Sequence, residues 1–318
     1  MCLPIKLPTS IERLQLLIVN LVATAAISIL LKRIIDIPRP CQLNPNLYAT
    51  CLSDFAYPSQ HASTAFSFVF PLLGHAFFPL MYIIGLLVSW SRVYQGLHSW
   101  FDIGGGIAVA GLGYSIAEAI VLKQKNIMYR EDERARQAIH VSMGLLLCSM
   151  IWFLGIETTL YFVLLGTCIG ILIVHLTLNG INLPGIGKLL DKFERKGVMP
   201  GEGSMYYAFG VLFALGLLRD NPASAISVIL ILALGDGLAT YVGKCCGNHK
   251  LPWNRNKTVE GSIGFAVGAA SALLVLPMPA TILIAVLATI VESLPIRLDD
   301  NITLPVVTSL SYYFIIGL

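Results

Sequence analysis

The sequence predicts an all-α, polytopic integral membrane protein whose roughly ten or eleven transmembrane helices form two helical bundles. Three observations carry that expectation. Of the 318 residues, 56% are hydrophobic and only 12% charged, whereas an ordinary soluble domain carries about 25% charged residues. Apolar runs follow one another along the whole chain, many of them near the roughly twenty residues needed to cross a hydrocarbon core. The few charges gather in short segments between those runs. A soluble enzyme, a secreted protein and a disordered chain are thereby excluded. The net charge of +3 is small and dispersed, which argues against a nucleic-acid partner.

In chain order the apolar helices are expected at Leu14–Leu31, Gln60–Ala76, Pro79–Trp90, Ile103–Leu122, Ala138–Phe153, Thr158–Leu178, Met205–Leu218, Ala223–Val242, Ser262–Leu276, Ala280–Leu294 and Leu304–Leu318. The last could be re-entrant. The first lacks a small-residue cleavage site and leads straight into a polar motif, so it reads as a retained helix rather than a signal peptide. One long charged stretch, KQKNIMYREDERAR from Lys123 to Arg136, divides the chain into residues 1–122, a linker at 123–136, and residues 137–318.

Orientation follows from the basic residues, because cytoplasmic loops are enriched in Lys and Arg. With the N-terminus inside, the inner segments hold Lys6, Arg13, Lys123, Lys125, Arg130, Arg134, Arg136, Lys188, Lys192, Arg195, Lys196, Lys244, Lys250, Arg255, Lys257 and Arg297, which is 16 of the 21. The outer segments hold five: Lys32, Arg33, Arg39, Arg92 and Arg219. Arg33, Trp90 and Trp100 read as interfacial anchors. The seven cysteines show no zinc-site spacing. Cys41 and Cys51 share an outer loop and could pair if that side is oxidising, whereas Cys245 and Cys246 fall inside as free thiols.

Three polar clusters sit at the outer helix ends: Lys32-x6-Arg39-Pro40, Tyr57-Pro58-Ser59-Gln60-His61, and Ser91-Arg92-x5-His98-x3-Asp102. They supply three cations for an anion with several oxygens, two histidines and a carboxylate. On a helix, His98 and Asp102 would share a face, and the carboxylate could fix the imidazole tautomer and leave the other nitrogen as a nucleophile. His61 remains as a general acid for the leaving alkoxide.

These clusters resemble the three-part signature of the type 2 phosphatidic acid phosphatase (PAP2) superfamily. The resemblance implies that His98 forms a phosphohistidine, Asp102 orients it, His61 protonates the leaving oxygen, and Lys32, Arg39, Ser59 and Arg92 hold the phosphate. No metal or other cofactor is implied for this half. Two departures stand out. Position 60 is Gln where the family most often has Gly, and the matching region, Leu14–Leu122, has four helices where the family core has six. A core so shortened could be inactive, or a partner subunit or a second copy of the chain could complete it.

The longer half puts its polar residues on the opposite face, in DKFERKGVMPGEGSMYY (Asp191–Tyr207), GDGLATYVGKCCGNHKLPWNRNKTVEGSIG (Gly235–Gly264) and VESLPIRLDDNITLPV (Val291–Val306). Glycine-rich turns, basic residues for phosphates and carboxylates suited to Mg²⁺ point to a phosphate or nucleotide site without a Walker A motif. The pieces Arg136-x3-His140, Glu194-Arg195-Lys196, Pro200-Gly201-Glu202-Gly203, Gly235-Asp236-Gly237, Lys257-Thr258-Val259-Glu260-Gly261-Ser262, and Glu292 with Asp299-Asp300-Asn301 resemble the CTP-dependent polyprenol kinases, which include dolichol and phytol kinases. That resemblance implies CTP as phosphoryl donor, with Lys250, Asn256, Lys257, Thr258 and Gly261 at the nucleotide. It also implies Asp236, Glu260 and Glu292 as Mg²⁺ ligands, with Asp236 or Glu260 also available as the base. Glu292 lies near the inner end of its helix, where an unpaired carboxylate is costly. His75, His175 and His249 receive no role.

Together the halves imply a bifunctional membrane enzyme acting on lipid substrates, an isoprenoid phosphate outside and an isoprenoid alcohol inside. Two alternatives stay open: a cytidylyltransferase that makes a CDP-lipid, and a transporter or scaffold with inactive lipid-binding modules. Transporters place ionisable residues near the bilayer midplane, often within inverted repeats. Here the helix centres are almost free of charge.

Overall fold

A computed structural model of the chain describes residues 7–44, 51–122, 133–181, 183, 185 and 198–316. The protein is 77% helical with no strands among the described residues, an all-α polytopic membrane fold. Each apolar run expected from the sequence falls on a helix. Five helices, Ser10–Ile34, Trp100–Val121, Ala135–Leu154, Ile156–Leu178 and Pro222–Cys246, are long and apolar enough to cross a membrane by length and composition. Glu194, Arg195 and Lys196 lie outside the described residues.

The chain divides into two compact units that do not follow its sequence halves. The first comprises residues 1–128 and 160–216, the second residues 129–159 and 217–318.

The first unit contains α1 (Ser10–Ile34), the short α2 (Pro40–Leu43), α3 (Gln60–Val69), α4 (Phe78–Tyr94), α5 (Trp100–Val121), α7 (Ile156–Leu178, from Leu160) and α8 (Glu202–Leu217). A capping box starts α1: Thr9 Oγ1 accepts from the Glu12 amide, while the Glu12 carboxylate accepts from the Thr9 amide and hydroxyl. At the centre is α5, apolar on every side and buried over most of its length, as such a helix must be. Its neighbours reach its backbone where side chains are missing. A Cβ on Gly111 would lie 2.2 Å from the Phe209 ring of α8, and one on Gly113 would lie 2.2 Å from Thr24 Oγ1 of α1.

Polar side chains at four-residue spacing make the inward stripe of α1. Asn20 Nδ2 donates to the Ser67 carbonyl (2.9 Å), Thr24 Oγ1 donates to Asn20 Oδ1 (3.0 Å), and Ser28 Oγ meets Ser63 Oγ at 2.9 Å. The two that cross to α3, from Asn20 and Ser28, contribute about 0.6–2 kcal/mol each in a membrane. Among apolar helices they specify which face meets which.

The second unit contains α6 (Glu133–Leu154), a rod made of α9 (Pro222–Leu230), a π turn (Ile231–Gly235) and α10 (Asp236–Cys246), then α11 (Val259–Ala269), α12 (Pro279–Ser293) and α13 (Asp300–Ile316). The π turn ends immediately before Asp236, and widened turns of this kind are frequent at functional sites. Opposite it, α11 packs backbone to backbone. A Cβ on Gly268 would sit 2.2 Å from the Leu234 carbonyl oxygen, and one on Gly261 would sit 3.2 Å from the Ala239 carbonyl oxygen. Gly261, expected at the nucleotide, thus has a packing duty that leaves little room for a larger side chain.

Candidate active sites

In the first unit, local sequence folds the three polar clusters together. Gly96 adopts φ +66°, a left-handed conformation that lets the chain turn out of α4. The Leu97 and His98 amides then donate back to the Arg92 carbonyl (3.1 and 3.3 Å). Ser99 caps α5 in a capping box with Asp102. The expected pairing of His98 and Asp102 on one helix face is therefore corrected: His98 stands in the turn before the helix, because Ser99-x-x-Asp102 is a helix-start signal. Asp102 Oδ2 accepts from the Ser99 amide (2.7 Å) and hydroxyl (2.9 Å) and lies 3.8 Å from His98 Nδ1, close but beyond a hydrogen bond.

The other ring nitrogen, His98 Nε2, is 3.0 Å from Arg39 Nη1. Arg39 is always charged and donates only, so Nε2 is the unprotonated nitrogen in this contact. Arg39 is itself fixed, with Nη1 donating to the Leu97 carbonyl (2.9 Å) and Nη2 held at 2.7 Å by Asp54 Oδ1. Lys32 Nζ meets the other oxygen of the same carboxylate at 3.2 Å. Asp54 was not anticipated from the sequence, since it belongs to none of the three clusters. Burial pushes the Asp54 carboxyl up, but the hydrogen bond from Arg39 and the charges of both cations outweigh it and hold it below its ordinary range. The Cys41–Cys51 disulfide, whose pairing the sequence left open, ties α2 to the chain three residues before Asp54.

Ser59 is fully buried and caps α3, and its amide donates to the Asp102 carbonyl (2.9 Å). His61 lies in the first turn of that helix, within electrostatic reach of Arg92, His98, Arg39 and Lys32. A helix N-terminus beside three cations is an arrangement suited to an anion. Gln60 fits without strain: no residue other than glycine has positive φ among the described residues, so the helix start makes no demand for glycine.

The His98 imidazole is driven towards its neutral form, first by burial and then by the charges of Arg39 and Lys32, with Asp102 opposing. For a reaction in which the neutral ring attacks, that form survives as pH falls through the ordinary histidine value of 6.5. The acidic limb of kcat/KM for a prenyl phosphate is expected below that value. A limb at or above it in a pH–rate profile would contradict the assignment.

The second unit gathers a different set. Lys257 Nζ is 2.9 Å from both Glu292 Oε1 and Asp300 Oδ2, and Ser262 Oγ donates to Glu292 Oε2 (3.3 Å). Burial lowers the proton affinity of Lys257, but the two carboxylates outweigh it and raise it overall. The residue expected at the CTP phosphates is thus clamped by protein carboxylates in this structure. Asp236 Oδ2 lies 4.0 Å from His140 Nδ1, and His140 Nε2 is 2.9 Å from Asn301 Oδ1. Asp236 and Asp299 lie within electrostatic reach of Asp300.

Glu260 is turned elsewhere, meeting His249 Nδ1 at 2.6 Å and accepting from the His249 amide. Lys250 and Asn256 are exposed on the intervening loop, and Thr258 caps α11 through the Gly261 amide. That loop is docked by Asn254, whose Nδ2 donates to the Ser293 and Leu294 carbonyls (both 3.2 Å). His140, Asn301 and Asp300 had been quoted in motifs without a role. Their signal was a polar run at helix starts that apolar packing does not need.

Among the described residues, no three His, Cys, Asp or Glu side chains converge to hold a metal ion by themselves. Mg²⁺ is commonly held by one or two carboxylates together with substrate phosphates, and the hard oxygen donors of Asp236, Asp299, Asp300 and Glu292 fit that arrangement.

Fold and sites define a membrane-embedded enzyme of lipid phosphate chemistry. Residues 13–126 match the PAP2 superfamily. Over 68% of this chain and 77% of its own length, phytol kinase 1 of Arabidopsis thaliana, a chloroplastic protein, is 30% identical. A probable phytol kinase 1 of Glycine max is 31% identical over 67% of this chain and 77% of its own. Farnesol kinase of Arabidopsis thaliana is 29% identical over 58% of this chain and 66% of its own. No solved structure matches. The chain belongs to the phytol and farnesol kinase (polyprenol kinase) family and carries a PAP2 superfamily domain.

Proposed function

We propose that the chain is a bifunctional enzyme that hydrolyses a prenyl phosphate at the His98 site and phosphorylates a prenol from CTP at the Asp236 site. The observation that carries the reading is the pairing of a buried histidine, its Nε2 held against Arg39, with a kinase-family chain in one polypeptide.

At the first site His98 Nε2 attacks phosphorus, the bond to the prenyl oxygen breaks, and His61 delivers a proton to the leaving alkoxide. Water then attacks the phosphohistidine as His61 takes its proton back, releasing inorganic phosphate and the neutral ring. Lys32, Arg39, Arg92 and the start of α3 stabilise charge on the transferring group.

At the second site the prenol oxygen attacks the γ-phosphorus of CTP and CDP leaves. Asp236, next to His140, is the carboxylate best disposed to take the hydroxyl proton. Lys250, Asn256 and Thr258 border the loop suited to the nucleotide. Mg²⁺, when bound, would neutralise charge on the phosphates. The sixteen inner basic residues and the Cys41–Cys51 disulfide support an extracytoplasmic phosphatase site and cytoplasmic kinase loops.

The test is a panel of prenyl, dolichyl and glycerolipid phosphates and alcohols incubated with the purified chain, with and without CTP, and resolved by mass. Expected are prenol and phosphate without CTP, and prenyl phosphate and CDP with it. A CDP-lipid with pyrophosphate would make the second site a cytidylyltransferase. No conversion of any lipid would favour a transporter or scaffold.

A further inference from the structure

The phosphate-binding turn of the first site is not held by the N-terminal helices alone. Tyr57, two residues before Ser59, is fully buried. Its hydroxyl donates to the Phe213 carbonyl of α8 (3.0 Å), and its ring meets the Phe213 ring edge-on, with centroids 6.0 Å apart at 70°. Two glycines make room for it. A Cβ on Gly105 of α5 would lie 2.2 Å from the Tyr57 ring, and one on Gly216 of α8 would lie 2.8 Å from that ring and 2.8 Å from the Phe101 carbonyl oxygen. Ser59 is meanwhile tied to α5 through its amide. The turn is thus wedged between α5 and α8, in contact with both backbones.

We infer that α8, a helix the sequence division assigns to the second half of the chain, positions the phosphate-binding turn of the phosphatase through Tyr57. The inference rests on the phosphatase reading of the His98 site. It replaces an outside partner with a helix of the same chain, which lies in the same compact unit. Tyr57, Phe213 and Gly216 are positioning residues: they touch no reacting atom, and they fix Ser59 and the start of α3, where the phosphate oxygens would lie. A misplacement of about 1 Å in such a group can cost about a hundredfold in rate.

The test uses the full chain in lipid nanodiscs, with release of phosphate from a prenyl monophosphate. Phe213→Ala and Gly216→Ala are each expected to lower kcat about tenfold or more with KM close to the parent's. Both should lower the thermal midpoint as well, because Phe213 is buried and a Cβ on Gly216 meets the Phe101 carbonyl. Tyr57→Phe, expected to melt like the parent, separates positioning from loss of fold. Tyr57→Phe removes one hydroxyl and should lower kcat by less. Combined with Phe213→Ala it should cost little more than Phe213→Ala alone, because both act through one side chain. Parent-like kcat in Phe213→Ala and Gly216→Ala overturns the inference. Should those two fail to fold, Tyr57→Phe decides, and a parent-like kcat there overturns it. A parent chain that hydrolyses no prenyl phosphate overturns the phosphatase reading itself, and the inference falls with it.

Discussion

His98→Ala is expected to abolish release of phosphate from prenyl phosphates while leaving CTP-dependent phosphorylation of prenols intact. The expected loss is at least a thousandfold, since removing the nucleophile of a covalent mechanism has cost about a millionfold in kcat where the other catalytic groups were left in place. His98 makes this a clean experiment. Its ring is buried, and its polar neighbours are Arg39 and Asp102. Asp54, the Leu97 carbonyl and the capping box hold those partners independently of the imidazole. Truncation should therefore remove chemistry and leave the scaffold standing. The kinase cluster lies in the other compact unit, so its rate serves as the internal control for folding. An unchanged rate of phosphate release in His98→Ala would end the phosphohistidine assignment. Parallel loss of both activities would mean that the substitution had acted on the fold.

How far the sequence anticipates this arrangement depends on the kind of signal. Apolar runs locate the helices because a hydrocarbon core leaves a spanning segment few other options. The three outer clusters are equally legible, since charged residues at helix ends are few and their spacing is specific. Side-chain geometry within them is less so. The i, i+4 spacing of His98 and Asp102 suggested a shared helix face, yet Ser99 is the cap and the helix begins at Trp100, two residues after His98. Asp54 was missed because a single aspartate in a loop has no periodicity, and only the folded loop brings it to Lys32 and Arg39.

The partition of helices was the least legible feature. Sequence order puts α7 and α8 after the charged linker, but packing joins them to α5, and what decides this is steric. Gly104 and Gly111 of α5 admit Leu160 of α7 and Phe209 of α8, and nothing in a string of apolar letters says which glycine notch meets which side chain. The Asn20, Thr24 and Ser28 stripe could have been read in advance, because polar residues four apart in an apolar helix mark its protein-facing side.

Asp236→Asn is expected to do the converse of His98→Ala: CTP-dependent phosphorylation of prenols should fall by about a hundredfold to ten-thousandfold, the range for losing a positioned acid or base. Phosphatase turnover should persist. The amide keeps the size of the carboxylate, so the π turn before it and the contact of Gly237 with Val141 should be undisturbed. It loses the charge that faces His140 Nδ1. Lys257→Met provides the contrast. Removing that ammonium leaves Glu292, which is 5% exposed, without its cation, and breaking one side of a buried pair is destabilising because a charge is left uncompensated. Lys257→Met should thus lower the thermal midpoint as well as the kinase rate, whereas Asp236→Asn should lower the rate alone. Labelled CTP, a prenol acceptor and a thermal melt in the same detergent separate the two outcomes. If Asp236→Asn transfers phosphate at the parent rate, Glu260, turned towards His249, becomes the carboxylate to examine as the base.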